Sequence, residues 1–453
     1  SEPSNFTMPH IPHISWSIKM HAVLHYPMMT RFSGIWLAPL LTAVGRKLHI
    51  DAHYFAKNSF FVLVGQALSI VRGVVTGYLV TRFFSTQVYG EYQFILSVMG
   101  MLSLFTFMGA STAVSRAWSR DDHFSLNAVS LYQAKLCLVG SLILVGSIPF
   151  LSWYDRQSLW PLFLAAAVIF PLPPLAMLRF PAYAIGKGRF DLTLQAGFVW
   201  TILVILSTLA ILIFWQSSIL MLITGTAIPP LVYFWYGRHI RSPQESGDRE
   251  ATKKIIRYGW HLTLSTLPVE LVWYIDRLLI SHYLGLAQLA TFSVALLIPE
   301  QAKVLLKQLL PISFSRQAKI KDSHESRRKL MKVVLLGTAL FALGIAVYIA
   351  ICPIIIPLLF PRYDATQVIW LTSLAAITLI VQPMSLFSQH LEARRMIREL
   401  WITNCVSSVV FLVSLLVLIP WYGLAGAIIA RGIFRCISSG ITCWYIVRLP
   451  IRE

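Results

Sequence analysis

The chain has 453 residues, of which 57% are hydrophobic and 13% charged, and its mean hydropathy is +0.68. That balance excludes a soluble globular domain and indicates an integral membrane protein with many spans. The formal net charge of +19 would suit a nucleic-acid binder, but basic residues in a membrane chain are first a topology signal, and their placement accounts for them without nucleic acid.

Residues 1–57 hold six of the twelve histidines without metal-site spacing, and they read as a cytoplasmic or interfacial N-terminal segment. The apolar run from Ile35 to Val44 is too short to span and lacks a small-residue cleavage site, so it reads as interfacial rather than as a signal peptide. Spans of about twenty apolar residues follow near 58–81, 92–114, 128–150, 160–181, 192–214 and 217–236. After a charged connection, six more lie near 259–283, 286–312, 331–359, 366–389, 400–420 and 423–446. The five cysteines all fall in apolar stretches with no CxxC pair and read as small core residues; no metal or cofactor is expected.

Lysine and arginine decide the orientation. Of the 38, 27 lie in the N-terminal segment, in the connections 115–127, 182–191, 237–257, 313–332 and 392–399, and at the C-terminus. The connections on the opposite side hold only Arg82, Arg156 and Arg362. The positive-inside rule therefore places both termini in the cytoplasm. The opposite connections are all short, which leaves no room for the extramembrane domain a membrane polymerase or ligase would need.

An internal repeat divides the spans. RFFSTQVYGEY at 82–92 and HYLGLAQLATF at 282–292 occupy the same place after the first span of each half, 200 residues apart. Six spans return the chain to its starting side, so the halves are parallel repeats. The expected architecture is all-α: twelve transmembrane helices in two six-helix bundles, 58–236 and 258–446. A cytoplasmic linker at 237–257 joins them, and a tail follows at 447–453.

Charges inside spans are costly and mark a cavity or a buried pair. The seventh span, HLTLSTLPVELVWYIDRLLISHYLG at 261–285, carries Glu270, Asp276 and Arg277, with Thr263, Thr266, Glu270, Tyr274, Arg277 and Ser281 along one helical face. Elsewhere the spans hold Arg72, Lys135, Arg179, Glu300, Lys303, Lys307, Arg431 and Arg435. The plainer reading makes Asp276, Glu270 and Arg277, or Glu300 and Lys303, pairs that only fix packing. It lets Arg179 and Lys307 snorkel at a helix end. Three acids cannot neutralise eight cations, however, so the interior should suit an anionic substrate.

Two stretches resemble a known family. RFFSTQVYGEYQFILSVMGMLSLFTFMGASTAVSR at 82–116 and YIDRLLISHYLGLAQLATFSVA at 274–295 are similar to the signatures of the bacterial polysaccharide-repeat flippases of the Wzx type. These belong to the multidrug, oligosaccharidyl-lipid and polysaccharide (MOP) exporter superfamily, the MATE-like fold. The resemblance departs at Ser85 and Ala290 and in the long N-terminal extension. It implies a multi-pass protein of the bacterial inner membrane that flips an undecaprenyl-pyrophosphate-linked oligosaccharide to the periplasmic leaflet.

On that reading the bundles rock about the linker as a monomer. The pyrophosphate is drawn in by Arg72, Lys135, Arg277, Lys303, Lys307, Arg431 and Arg435, and H⁺ or Na⁺ coupling falls to Glu270, Asp276 and Glu300. Gln66, Trp273 and Tyr274 meet the sugars, with Gln133, Gln195, Gln382 and Asn404 as further polar groups that could equally join helices. Membrane lipids, a polysaccharide polymerase and glycosyltransferases are the expected partners. The alternatives are a multidrug or other lipid-linked precursor exporter of the same superfamily, and, in a different class, a membrane polymerase or ligase.

Overall fold

The computed structural model describes the backbone of residues 52–448 apart from 155, 239, 241–248, 320–323 and 394–395. Side chains are described over the same range except 52–59, 152–154, 304–319, 324–326, 392–393 and 397. The expectations for residues 1–51, for most of the linker and for the end of the tail thus lie outside the described residues.

The described elements are helical throughout, with no strand among them. In chain order they are α1 (Ala52–Phe83), α2 (Thr86–Met101), α3 (Gly109–Ser119), α4 (Leu126–Gly146), α5 (Trp160–Ile169), α6 (Leu172–Gly186) and α7 (Phe190–Phe214). Then come α8 (Ser218–Gly237), α9 (Arg249–Tyr283), α10 (Leu286–Lys319), α11 (His324–Leu359), α12 (Ala365–Ile377), α13 (Ser385–Ala393) and α14 (Ile397–Arg448). Residues from Phe61 onward form one compact unit.

By length and apolar composition, nine helices among the described residues could cross a membrane, so this is a multi-pass membrane protein. Twelve spans were expected; α9, which carries Glu270, Asp276 and Arg277, and α10, which carries Glu300 and Lys303, are not among the nine. α14 is one continuous run of 52 residues only in its hydrogen bonding. Gly423 has φ 58° and ψ −134°, and a Cβ on Gly426 would fall 2.0 Å from the Leu418 carbonyl oxygen. The chain therefore folds back on itself at Gly423, whose positive φ a side chain would resist.

Local sequence explains several boundaries. The Ser85 and Ser125 hydroxyls each accept from a backbone N–H three residues on, capping α2 and α4, and Asp364 does the same for α12. Ser85 thus stands where the second repeat has Gly285, and the two turns are built differently. Leu131, Leu138 and Leu142 on α4, Leu206 and Ile213 on α7, and Leu336, Leu340 and Leu343 on α11 remain exposed, as lipid-facing side chains do.

Packing differs between the two ends of the helices. Where the short, base-poor connections lie, the halves share their apolar clusters. One contains Val80, Phe84, Tyr89, Ala290, Val294, Phe360 and Tyr363, and another joins Ile95 and Leu144 to Phe292, Phe411 and Phe434. At the basic end the clusters are separate. Phe107, Val114, Trp118, Val129 and Leu178 form one with Ile255, Ile256 and Trp260, and Leu330, Val334, Phe387, Leu391 and Ile446 form another.

The base-poor end is also tied by hydrogen bonds in both directions. Arg362, from the second half, donates to the carbonyls of Phe83 and Phe84 at the end of α1, at 2.9 and 3.3 Å. Arg156, from the first half, donates to the Ser281 carbonyl near the end of α9. Close by, α2 meets the start of α10 so tightly that a Cβ on Gly90 would lie 2.0 Å from the Leu286 carbonyl oxygen.

α9 serves both halves. Near its start, Thr252 and Thr263 accept hydrogen bonds from the backbone N–H groups of Ser125 and Gly109, and Trp260 donates to the Tyr132 hydroxyl at 2.9 Å. Past Pro268 it also meets α14 of the second half, with Trp273 edge-on to Phe434, while Tyr274, Arg277 and Ser281 keep contact with the first half.

Candidate functional site

The α9 stripe is divided rather than presented as one polar face. Thr263 and Ser281 are buried in contacts with the first half, Thr266 is exposed, and Asp276 turns toward α14. The Asp276 carboxylate is fully buried. One of its oxygens accepts from Arg431 Nε at 2.5 Å and the other from the Arg277 backbone N–H at 2.7 Å. Arg431 is itself only 3% exposed and donates a second hydrogen bond to Glu300 at 3.0 Å.

Glu300, on α10, holds three cations. Arg431 and Arg435 reach one carboxylate oxygen at 3.0 and 3.1 Å, and Lys303 reaches the other at 3.0 Å. The i, i+3 and i, i+4 spacings seen in the sequence place Glu300 beside Lys303 on α10, and Arg431 beside Arg435 on α14. Trp273 of α9 lies against all three cations, with Lys303 Nζ 3.4 Å from its ring centroid and the guanidinium carbons of Arg431 and Arg435 at 5.3 and 5.9 Å. Arg435 also donates to the Thr378 hydroxyl at 2.5 Å. Two carboxylates thus face three cations, which leaves the cluster with a surplus of positive charge in a pocket of low dielectric, where unpaired charge is expensive.

The remaining interior cations stand apart from this cluster. Arg72, on α1, lies over the Trp200 ring at 4.2 Å and donates to the Ser69 hydroxyl at 3.1 Å. Tyr92 and Tyr233 lie close enough to interact with its charge. Arg277 reaches across to the first half, donating to the Gln93 side-chain oxygen at 3.3 Å, and Gln93 in turn donates to the Tyr89 hydroxyl at 2.8 Å. The Nε atoms of Arg72 and Arg277, like that of Arg435 in the cluster, are buried and meet no acceptor among the described residues.

Other expected site residues are placed elsewhere. Lys135 is exposed on the α4 face that also presents Leu131, Leu138 and Leu142, away from both groups. Arg179 pairs with Asn127 at 3.2 Å. Glu270 is half-buried and makes no ion pair among the described residues, with Tyr274 between it and Arg277. Gln133 is buried and donates to the Thr106 carbonyl at 2.8 Å, a packing contact, while Gln195 is exposed. Gln66, Gln382 and Asn404 are half-buried. The Lys307 side chain lies outside the described residues. Among the described residues, no group of three His, Cys, Asp or Glu side chains could hold a metal ion.

Sequence reasoning did not single out Tyr89, Tyr92, Gln93, Trp200 or Thr378. A signal existed for three of them, because Tyr89, Tyr92 and Gln93 recur at steps of three and four along α2 and share one face.

Residues 55–307, more than half of the chain, match the family described as polysaccharide biosynthesis protein. No curated protein matches the chain. Among solved structures, the lipid II flippase MurJ in an inward closed conformation superposes with a TM-score of 0.66 at 13% identity, covering 87% of this chain and 88% of that one. The inward-facing conformation of a multidrug resistance MATE family transporter of the MOP superfamily gives a TM-score of 0.63 at 14% identity, covering 84% and 94%. A MOP superfamily transporter from Pyrococcus furiosus, whose binding pocket is described as of reverse polarity, gives 0.55 at 14% identity, covering 87% and 94%. At these identities the likeness is one of fold.

Proposed function

This chain belongs to the polysaccharide biosynthesis protein family, and from that premise we propose that it moves a lipid-linked, negatively charged saccharide across the membrane by alternating access. The observation that carries this reading is the composition of the interior. Arg72, Arg277, Lys303, Arg431 and Arg435 are inside the helical unit, whereas Asp276, Glu300 and Glu270 are the acids that accompany them. A surplus of guanidinium and ammonium groups in a membrane interior replaces the hydration of an anion, whose transfer into hydrocarbon otherwise costs many kcal/mol.

In detail, the helices make twelve crossings with both termini in the cytoplasm, α14 supplying two of them by folding back at Gly423. With the base-poor end shared and tied and the basic end divided between two clusters, this conformation opens toward the cytoplasm. The substrate is an undecaprenyl-pyrophosphate-linked oligosaccharide delivered to the periplasmic leaflet of a bacterial inner membrane. Asp276 and Glu300 are already engaged by resident cations, so coupling to H⁺ or Na⁺ falls to Glu270.

The test is reconstitution. Proteoliposomes containing the chain and a fluorescent short-chain lipid diphosphate disaccharide should show protein-dependent loss of the inner-leaflet pool. A cationic dye should not be moved. Transport of the dye without transport of the lipid diphosphate would replace this reading with that of a multidrug exporter.

A further inference from the structure

One cation that the sequence suggested for the interior faces outward instead. Lys135 lies in the middle of α4, about 15 Å along the helix axis from the Ser125 cap. Its side chain is exposed on the stripe that carries Leu131, Leu138 and Leu142, opposite the buried Gln133, Cys137, Gly140 and Leu144. At about 3.6 residues per turn, Asn127, Leu131, Lys135, Leu138 and Leu142 share one narrow arc, the lipid-facing side of the helix. Other long exposed stripes keep charge out: α7 holds none over 192–214, and α11 none over 333–359.

A lysine in that position leans toward the nearer interface, because side chains tilt toward a helix N-terminus and α4 begins at the basic end. What it leans toward is Arg179. From α6, Arg179 donates to the Asn127 side-chain oxygen at 3.2 Å, which holds it at the mouth of the same stripe, with Leu131 between the two cations. Neither Lys135 nor Arg179 has a carboxylate partner among the described residues. At that end of the first half, Asp121 pairs with Lys187 and Asp191 with Arg189, and Asp122 is exposed in the connection ahead of α4.

An ammonium carries three N–H donors and a guanidinium five, and hydrocarbon offers them no acceptor. The acceptors within reach of a lipid-facing stripe are the phosphate and ester oxygens of the leaflet itself. Two cations without a carboxylate favour a lipid of net negative charge, because a zwitterionic headgroup brings a further ammonium against them.

We propose that the α4–α6 face carries a binding site for an anionic phospholipid of the leaflet at the basic end. Its phosphate is held between Lys135 and Arg179, and its acyl chains lie along Leu138 and Leu142 in the deeper turns. The site is on the outer surface of the first half and takes a resident membrane lipid, not the transported one.

The experiment offers the full chain, purified in detergent, phosphatidylglycerol and phosphatidylethanolamine with identical acyl chains, and native mass spectrometry counts the lipid retained. The wild type should retain phosphatidylglycerol in preference. Lys135→Leu should weaken the tightest phosphatidylglycerol about tenfold, the loss of one charge-assisted contact. Lys135→Arg should keep it within about threefold, since the charge and the donors remain. Arg179→Gln should weaken it severalfold, and phosphatidylethanolamine should change little throughout. A leucine suits a lipid-facing position, so the unfolding midpoint of Lys135→Leu should be at or above that of the wild type.

A Lys135→Leu chain that binds phosphatidylglycerol as the wild type does would overturn the site, and so would a wild type with no preference between the two lipids; either result means that the lysine only snorkels. A preference lost in the Arg328→Gln, Lys332→Gln double variant but kept in Lys135→Leu would place the lipid on the exposed basic start of α11 and overturn it as well. None of these outcomes bears on the transport reading, which the reconstitution assay tests separately.

Discussion

Asp276 and Arg431 show what one residue can and cannot disclose about itself. Their sequence positions are 155 apart, and nothing in either helix alone tells that the costly carboxylate of α9 and the costly guanidinium of α14 neutralise each other. The sequence does show that both are expensive and that each lies on a face with other charges. It leaves their partner open because pairing across helices depends on how α9, α10 and α14 rotate about their axes. Removing either member alone strands the other charge in the interior, which typically costs about 3–5 kcal/mol. Asp276→Asn and Arg431→Gln should therefore each lower the unfolding midpoint strongly, and the double variant should lose less than the two losses added. Thermal unfolding in detergent, with the two single variants and the double variant compared, gives that coupling. Additive losses would mean that the two side chains do not act as a pair.

At the scale of elements, span positions were legible because lipid-facing and core positions are both apolar over about twenty residues. The turns at Ser85, Ser125 and Asp364 follow from their capping side chains. What was not legible is the division of α9 between the halves. Its first turns present Thr252, Trp260 and Thr263 to the first half, and its later ones present Trp273 and Asp276 to the second but Arg277 and Ser281 to the first. Periodicity reports that a face is buried, not which neighbour buries it. The seam between α2 and α10 is similarly invisible until the backbones are placed. An Ala at position 90 would put its Cβ into the Leu286 carbonyl, so α2 and α10 must separate to admit it. Gly90→Ala should thus loosen the base-poor end. A cysteine introduced at Gln87 should react faster with a membrane-impermeant maleimide in that variant than in the wild-type background, and an unchanged rate would show that the seam absorbs a methyl group without opening.

For the whole molecule, the twofold repeat and the sidedness of charge gave the plan of two halves in the sequence, and the two interlocked apolar clusters at one end show how they meet. The ties across that end are reciprocal: Arg362 of the second half on α1, and Arg156 of the first half on α9. Opening the base-poor end requires both to release. The Arg156→Ala and Arg362→Ala double variant should therefore shift the resting population toward that opening. Spin-label distances across the seam should lengthen, with each single variant falling between. Distances that stay at the wild-type value in the double variant would mean that the apolar clusters alone keep the end shut.

Arg362 grips main-chain carbonyls of Phe83 and Phe84, groups that every residue type possesses. A substitution scan along the end of α1 would therefore pass over this tie in silence, because no side-chain change there deletes a backbone oxygen. Arg156 also reaches the Ser281 hydroxyl at 3.5 Å and lies over the Phe94 ring, so its tie leaves a genetic record on the receiving helices, whereas that of Arg362 is written in the arginine codon.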